Sequence, residues 1–256
     1  MTISQAIISG IVQGITEFFP ISSSGHLAIL HALLLFKQPM LAFDVFLHFG
    51  TLISIVVFFR KDIVNMLQKD RVLLKFIIIG SIPTFIMGIL FKDIVESFFA
   101  MPWLIGFFLV LTGIFLLFAS FSAMYWKIVR RTRPLGMANS IIIGIAQGIS
   151  VIPGISRSGT TIGTGLIAGL NEEVALKFSF LMALPAVLGA NLLKARQICG
   201  NLISIETVPF IAGAVAAMLT GFFAIKVLFR ILRKNLFFLF GIYCILMGSA
   251  VIILGR

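Results

Sequence analysis

The feature that most constrains this chain is a series of long apolar runs that carry hardly any charge. Ile105 to Phe121 contains no Asp, Glu, Lys or Arg. Such runs approach the ~18–20 residues that a helix needs to cross a hydrocarbon core of about 30 Å. Hydrophobic residues make up 60% of the 256 positions and charged residues 11%, whereas a soluble domain has about a quarter of its residues charged. A soluble all-α protein of this composition would have to bury nearly every helix all round. The chain therefore reads as a polytopic membrane protein. Its N-terminus lacks a basic region and Glu17 interrupts the first apolar stretch, unlike a cleaved signal peptide. Cys199 and Cys244 are far apart and suggest neither a disulfide framework nor a metal site. The net charge of +11 does not point to nucleic acid, because the basic residues gather in short loops between apolar segments, as on the cytoplasmic face of a membrane protein.

Apolar segments are predicted at roughly 3–19, 21–36, 42–59, 73–92, 102–124, 137–152, 160–170, 173–193, 208–229 and 236–254. The first pair is interrupted by Pro20, Ser22, Ser23, Ser24 and Gly25, and the pair 137–152/160–170 by Pro153, Gly154, Ser156, Ser158 and Gly159. Proline removes a helix donor and glycine weakens the helix. Irregular backbone at membrane depth survives only where protein or a wet cavity satisfies it. The expected fold is all-α, with about six full transmembrane helices plus two re-entrant helical hairpins. It forms a single membrane domain over 1–256. Basic loops at Arg60/Lys61/Lys69/Arg71, Lys127/Arg130/Arg131/Arg133 and Arg230/Arg233/Lys234 are expected to be cytoplasmic. The loops near 93–101 and 194–207 then lie outside, with Lys194 and Arg256 as exceptions to the charge rule. The first hairpin enters from outside and the second from the cytoplasm.

The two interrupted segments are related to one another. Q-G-I-T-E-F-F-P-I-S-S-S-G-H from Gln13 aligns without a gap with Q-G-I-S-V-I-P-G-I-S-R-S-G-T from Gln147, at an offset of 134 residues and with seven of fourteen positions identical. Three full crossings between them give the halves, approximately 1–125 and 135–256, opposite orientation. Inverted-topology repeats of this kind place their site near the midplane, where broken helices meet. The copies differ where chemistry is concerned. Glu17, Ser23 and His26 in the first stand opposite Val151, Arg157 and Thr160 in the second.

An ionisable group in a membrane segment is costly and reads as functional. Arg157 offers a planar fork for phosphate oxygens. Ser156, Ser158, Thr160 and Thr161, with Ser22 and Ser24 opposite, add candidate donors for an anion. A helix N-terminus after the turn adds partial positive charge. A polar packing seam accounts for the Ser and Gly residues but poorly for Arg157. Gln13 and Glu17, four apart, share a helix face, and oxygen ligands there suit Mg²⁺ or Ca²⁺. His26 follows Ser23 by three residues. The pair could act as nucleophile and general base, or His26 could protonate a leaving group. Asp44 and His48, also four apart, either face the same cavity or pair with each other. Asn171 before Glu172 and Glu173 reads as a helix cap.

These segments, Gln13 to His26 and Pro153-Gly154-Ile155-Ser156-Arg157-Ser158-Gly159-Thr160-Thr161, resemble the bacterial undecaprenyl-diphosphate phosphatase family of the bacitracin-resistance type. Motif order, separation and chain length agree across essentially the whole sequence. The resemblance implies hydrolysis of undecaprenyl diphosphate to undecaprenyl phosphate and inorganic phosphate, which recycles the lipid carrier for cell-wall synthesis. It also implies a multi-pass protein of the bacterial plasma (inner) membrane and a divalent cation. Gln13 and Glu17 fall on the metal motif, Gln13 being its weaker variant. Ser23 and His26 fall on the serine and histidine, and Arg157 on the phosphate-binding arginine. The expectation is Ser23 as nucleophile, His26 as proton carrier, and apolar grooves between helices for the prenyl tail of the lipid substrate, with membrane lipids around it. Lipid phosphatases of the phosphatidic-acid type need a His six residues after the Arg, where this chain has Gly163. Lipid-carrier transport and a non-catalytic lipid-binding scaffold are the competing classes. The oligomeric state is open, a dimer among the options.

Overall fold

The computed structural model describes residues 1–36, 40–91, 98, 101–130, 132–200 and 207–254, with the backbone alone for 102 and 193–200. Among these residues there are eleven helices and no strand. They are α1 (Ile3–Phe18), α2 (Ser23–Leu33), α3 (Leu41–Phe58), α4 (Arg60–Gln68), α5 (Arg71–Leu90), α6 (Pro102–Ile128), α7 (Met137–Ile149), α8 (Arg157–Ile167), α9 (Glu172–Gly200), α10 (Thr207–Arg233) and α11 (Phe238–Leu254). The predicted outer loop near 93–101 lies almost wholly outside the described residues, as do Arg131 and Arg256.

Five helices are long and apolar enough to cross a membrane: Leu41–Phe58, Arg71–Leu90, Trp103–Ile128, Glu172–Leu192 and Thr207–Arg233. The sixth expected crossing, Phe238–Leu254, is an apolar helix of 17 residues. At 1.5 Å per residue it measures roughly 26 Å, a little short of the ~30 Å core. Their outward faces are apolar: Phe85 is 61% exposed, Phe121 67% and Leu246 67%. In water such a surface would be a liability, and in hydrocarbon it is the solvated face.

Several helices run further than their apolar segments. α6 continues to Ile128 and α10 to Arg233, and α9 reaches Gly200, past the expected boundary at 193. Lys and Arg are good helix formers, and near a C-terminus they suit the helix dipole. The basic stretch after Phe59 is likewise a helix, α4, and not a loop. Asp62 of α4 pairs with Lys177 of α9. Asn171 caps α9 by accepting from the Val174 amide at 2.8 Å, as its position suggested. The acids that follow it pair outward, Glu172 with Lys127 and Glu173 with Arg233.

Helices meet through small residues, the packing expected where no hydrophobic effect drives them together. α1 lies along α10, and α7 lies along α5; α3 and α9 pack on each other, and each also packs on one of those pairs; α6 lies along α11. A Cβ on Gly10 of α1 would come within 2.2 Å of the Gly213 carbonyl, and one on Gly144 of α7 within 2.0 Å of the Gly80 carbonyl. Hydroxyls bridge the same seams: Ser54 donates to Met218 O at 2.6 Å and Thr84 to Gly144 O at 2.9 Å. The largest apolar core sits beside the first helix break, where Phe18 meets Phe180 edge-on at 5.3 Å.

Gly144→Ala should therefore force α7 away from α5 and destabilise by about 1–3 kcal/mol, the usual cost of overpacking. Gly88→Ala in α5, where a Cβ meets nothing within 4 Å, should leave the unfolding midpoint unchanged or slightly raised. Thermal unfolding of the two variants in detergent checks both outcomes.

Candidate active site

The site begins with the way α1 ends. Gln13 and Glu17 sit on its buried face. Phe19 precedes a proline and takes the extended conformation such residues favour (φ −68°, ψ 141°). Ser22 holds a left-handed φ of 68°, turning the chain into α2 with Ser23 as its first residue. The second break is built differently. Gly154 takes a φ of 94°, a region glycine enters without a Cβ penalty. Ser156 then caps α8, its Oγ accepting from the Gly159 amide at 3.1 Å. The breaks touch: Ser158 Oγ donates to Phe19 O at 3.2 Å, and a Cβ on Gly159 would lie 3.2 Å from Pro20 Cβ.

That contact carries Arg157, the first residue of α8, to Glu17. Arg157 Nη2 donates to Glu17 Oε1 at 2.5 Å. The other carboxylate oxygen accepts from Ser23 Oγ at 2.7 Å and from Gln13 Nε2 at 3.0 Å. His48 Nε2 of α3 lies 3.7 Å from the same oxygen. Glu17 is thus the hub of a buried polar cluster drawn from four helices. Two atoms at its edge are buried without a protein partner: Arg157 Nη1 and Gln13 Oε1. One is a cationic donor and the other a neutral acceptor. An orphaned donor of this kind is what an anion would satisfy.

The structure brings Gln13, Glu17, Ser23 and Arg157 together, and it gives the other expected site residues different neighbours. Thr160 donates to Ser156 O and Arg157 O at 3.0 and 3.1 Å. Thr161 bonds to Arg157 O at 2.8 Å and to Ser179 Oγ at 2.5 Å. Each hydroxyl has a single proton. These two therefore hold the first turn of α8 behind Arg157 and offer an anion little. Ser156 caps its helix and Ser158 ties the breaks. Ser22 Oγ and Ser24 Oγ lie 3.4 Å from each other at the start of α2. His26 does not bond to Ser23. Its Nδ1 donates to Ser22 O at 2.8 Å, and its Nε2 lies 2.7 Å from the Tyr243 hydroxyl of α11.

A hard cation would need oxygen ligands, and here Gln13 turns its Nε2 toward the Glu17 carboxylate and leaves Oε1 as a buried acceptor without a partner. Among the described residues no group of three His, Cys, Asp or Glu side chains could hold a metal, so protein alone supplies only part of a shell.

Sequence reasoning left His48 undecided, and the structure turns it toward Glu17, with His31 of α2 lying 3.8 Å from Asp44. It missed Thr112, which receives the Ser156 amide at 3.4 Å and donates to Gly154 O at 3.2 Å, bracing the second break. It also missed Ser179 and Tyr243. None of these three stands in a motif. Their signal, a lone hydroxyl in an apolar helix, is too common to single them out.

Known proteins resemble this chain along nearly its whole length. The chain is 41% identical to the undecaprenyl-diphosphatase of Carboxydothermus hydrogenoformans, over 98% of this chain and 96% of that protein. It is 40% identical to the undecaprenyl-diphosphatase of Halothermothrix orenii, over 100% and 99%. It is 39% identical to the protein of the same name from Methanobrevibacter smithii, over 98% and 97%. The profile of the family described as bacitracin resistance protein BacA matches residues 6–250, both helix breaks included. With the match running through every helix that builds the Glu17 cluster, the chain belongs to the BacA family of bacitracin resistance proteins.

Proposed function

We propose that this chain hydrolyses undecaprenyl diphosphate to undecaprenyl phosphate and inorganic phosphate in a bacterial plasma membrane, the activity its relatives are named for. The observation that carries the reading is the buried Arg157 guanidinium, half engaged by Glu17 and half without a partner. Nη1 would take an oxygen of the terminal phosphate, and guanidinium–phosphate bonds are charge-assisted. Ser23 Oγ already donates to Glu17. When Oγ bonds to the terminal phosphorus, its proton passes to the carboxylate and the bond from that phosphorus to the bridging oxygen breaks. Undecaprenyl phosphate leaves. Water then attacks the phosphoserine and inorganic phosphate departs, while Glu17 returns its proton to Oγ. His26, one turn along α2, carries the proton that the water sheds. Gln13 Oε1 and Glu17 would hold a divalent cation, Mg²⁺ or Ca²⁺, which when bound offsets the negative charge of the diphosphate. The prenyl tail lies among the apolar side chains outside the cluster, in contact with membrane lipid.

The finer architecture belongs to the same proposal. The chain is one membrane domain of two inverted repeats, and α1–α2 and α7–α8 are re-entrant hairpins. The pairing of helices supports this. Exchanging the halves turns the α1·α10 contact into α7·α5 and leaves α3·α9 and α6·α11 as they are. Across α6·α11, Gly106 faces Gly248 and Gly113 faces Gly241, as a two-fold axis through that seam would require.

Glu17→Ala and Arg157→Ala should each lower phosphate release from undecaprenyl diphosphate by at least ~100-fold. Arg157→Lys should restore little, because a point charge cannot replace the fork. Full activity in either alanine variant would sink the assignment. A chelator should abolish turnover and added Mg²⁺ or Ca²⁺ should restore it; activity indifferent to the chelator removes the cation from the scheme. In a background with both cysteines replaced, Thr2→Cys and Phe36→Cys should label with an impermeant maleimide from one side of the membrane. Gly136→Cys and Asn171→Cys should label from the other. Opposite-side labelling within either pair would mean that the hairpin crosses.

A further inference from the structure

We propose that Tyr243, on the last helix and outside both motifs, is a positioning residue for His26 in this reaction. The inference rests on the phosphatase reading for its kinetic consequence, and on geometry alone for the pairing. A carbonyl oxygen can only accept, so the 2.8 Å contact between His26 Nδ1 and Ser22 O requires a proton on Nδ1. In the neutral ring the lone pair then sits on Nε2. Tyr243 Oη lies 2.7 Å from Nε2, so the phenol donates. The two rings are also stacked, with centroids 5.7 Å apart and planes 15° from parallel. The backbone at Ile21 and Ser22 holds one edge of the His26 ring, and Tyr243 holds the other.

Tyr243 is 41% exposed on the second turn of its helix, and its hydroxyl is turned inward to His26. α11 is an apolar helix, and a phenol facing hydrocarbon without a partner would be costly. A phenylalanine would fill the same space without that cost. The hydroxyl also suits a group that gains and loses a proton. It donates to neutral Nε2, and it accepts from Nε2–H when the ring is protonated. The contact therefore survives both states of His26, and the imidazole keeps the same place on α2 in each. A backbone carbonyl or an amide NH₂ in place of the hydroxyl would serve only one of the two states.

The test uses the full-length protein in lipid bilayers, labelled with ¹⁵N-histidine. The chain has three histidines, and His26→Gln identifies the signal of interest. In the unmodified protein that signal should report a proton on Nδ1 and a hydrogen-bonded Nε2, and Tyr243→Phe should lose the second feature. In phosphate release from undecaprenyl diphosphate, Tyr243→Phe should lower kcat by about tenfold, as for loss of one hydrogen bond to an ionisable group, with KM within about twofold. The double variant with His26→Gln should be no slower than His26→Gln alone. An unchanged nitrogen signal, effects that multiply in the double variant, or a fall of more than about 4 °C in the unfolding midpoint of Tyr243→Phe would each overturn the proposal. Absence of any hydrolysis by the unmodified protein would overturn the phosphatase reading instead, while the nitrogen signal still decides the pairing.

Discussion

A carboxylate and a guanidinium, each very costly alone in an apolar interior, meet between Glu17 and Arg157. The rest of the molecule is arranged around that contact. The two residues are 140 positions apart in the chain, and each stands at the edge of a helix break. Removing either partner would leave a buried charge uncompensated. Yet the pair is incomplete. Glu17 accepts from Arg157, Ser23 and Gln13, while Arg157 keeps one nitrogen in reserve. In the proposed reaction a phosphate would complete the arginine and leave the carboxylate's bond to Ser23 in place.

The broken helices are what make this possible. An unbroken helix satisfies its own backbone and presents side chains sideways, whereas a helix that starts inside the protein offers its first amides and first side chain at depth. The chain makes two such starts, at Ser23 and Arg157, and joins them through Ser158 and Phe19. Thr112 from α6 and Ser179 from α9 brace the second start from behind. Small residues elsewhere let the surrounding helices close in, so that the polar centre is sealed by Phe18, Phe180 and their neighbours.

Much of this was legible in the sequence, and the reason is physical. A helix that must cross hydrocarbon advertises itself by a long apolar run, and a break inside it by Pro, Gly and Ser. The expected segments match the helices to within a few residues at most ends. They fall short where Lys and Arg continue α6 and α10 beyond the apolar stretch, and where α4 replaces a loop. The motif residues Gln13, Glu17, Ser23 and Arg157 were chosen from the sequence, and they are the ones the structure gathers. Thr160 and Thr161 looked like anion donors because their type and position suited the role. Only their carbonyl partners reveal that the protons are already used.

By itself, then, the sequence determined that the chain is a helical membrane protein with two related polar breaks, one acidic and one basic. Periodicity, composition and motif are local properties of the chain, and those conclusions needed nothing more. Only the tertiary structure decided what each side chain faces. It turned His48 toward Glu17, gave His26 to Tyr243 and not to Ser23, and left Arg157 Nη1 open. Hydrogen-bond partners across helices depend on crossing geometry and helix register, which no single segment encodes.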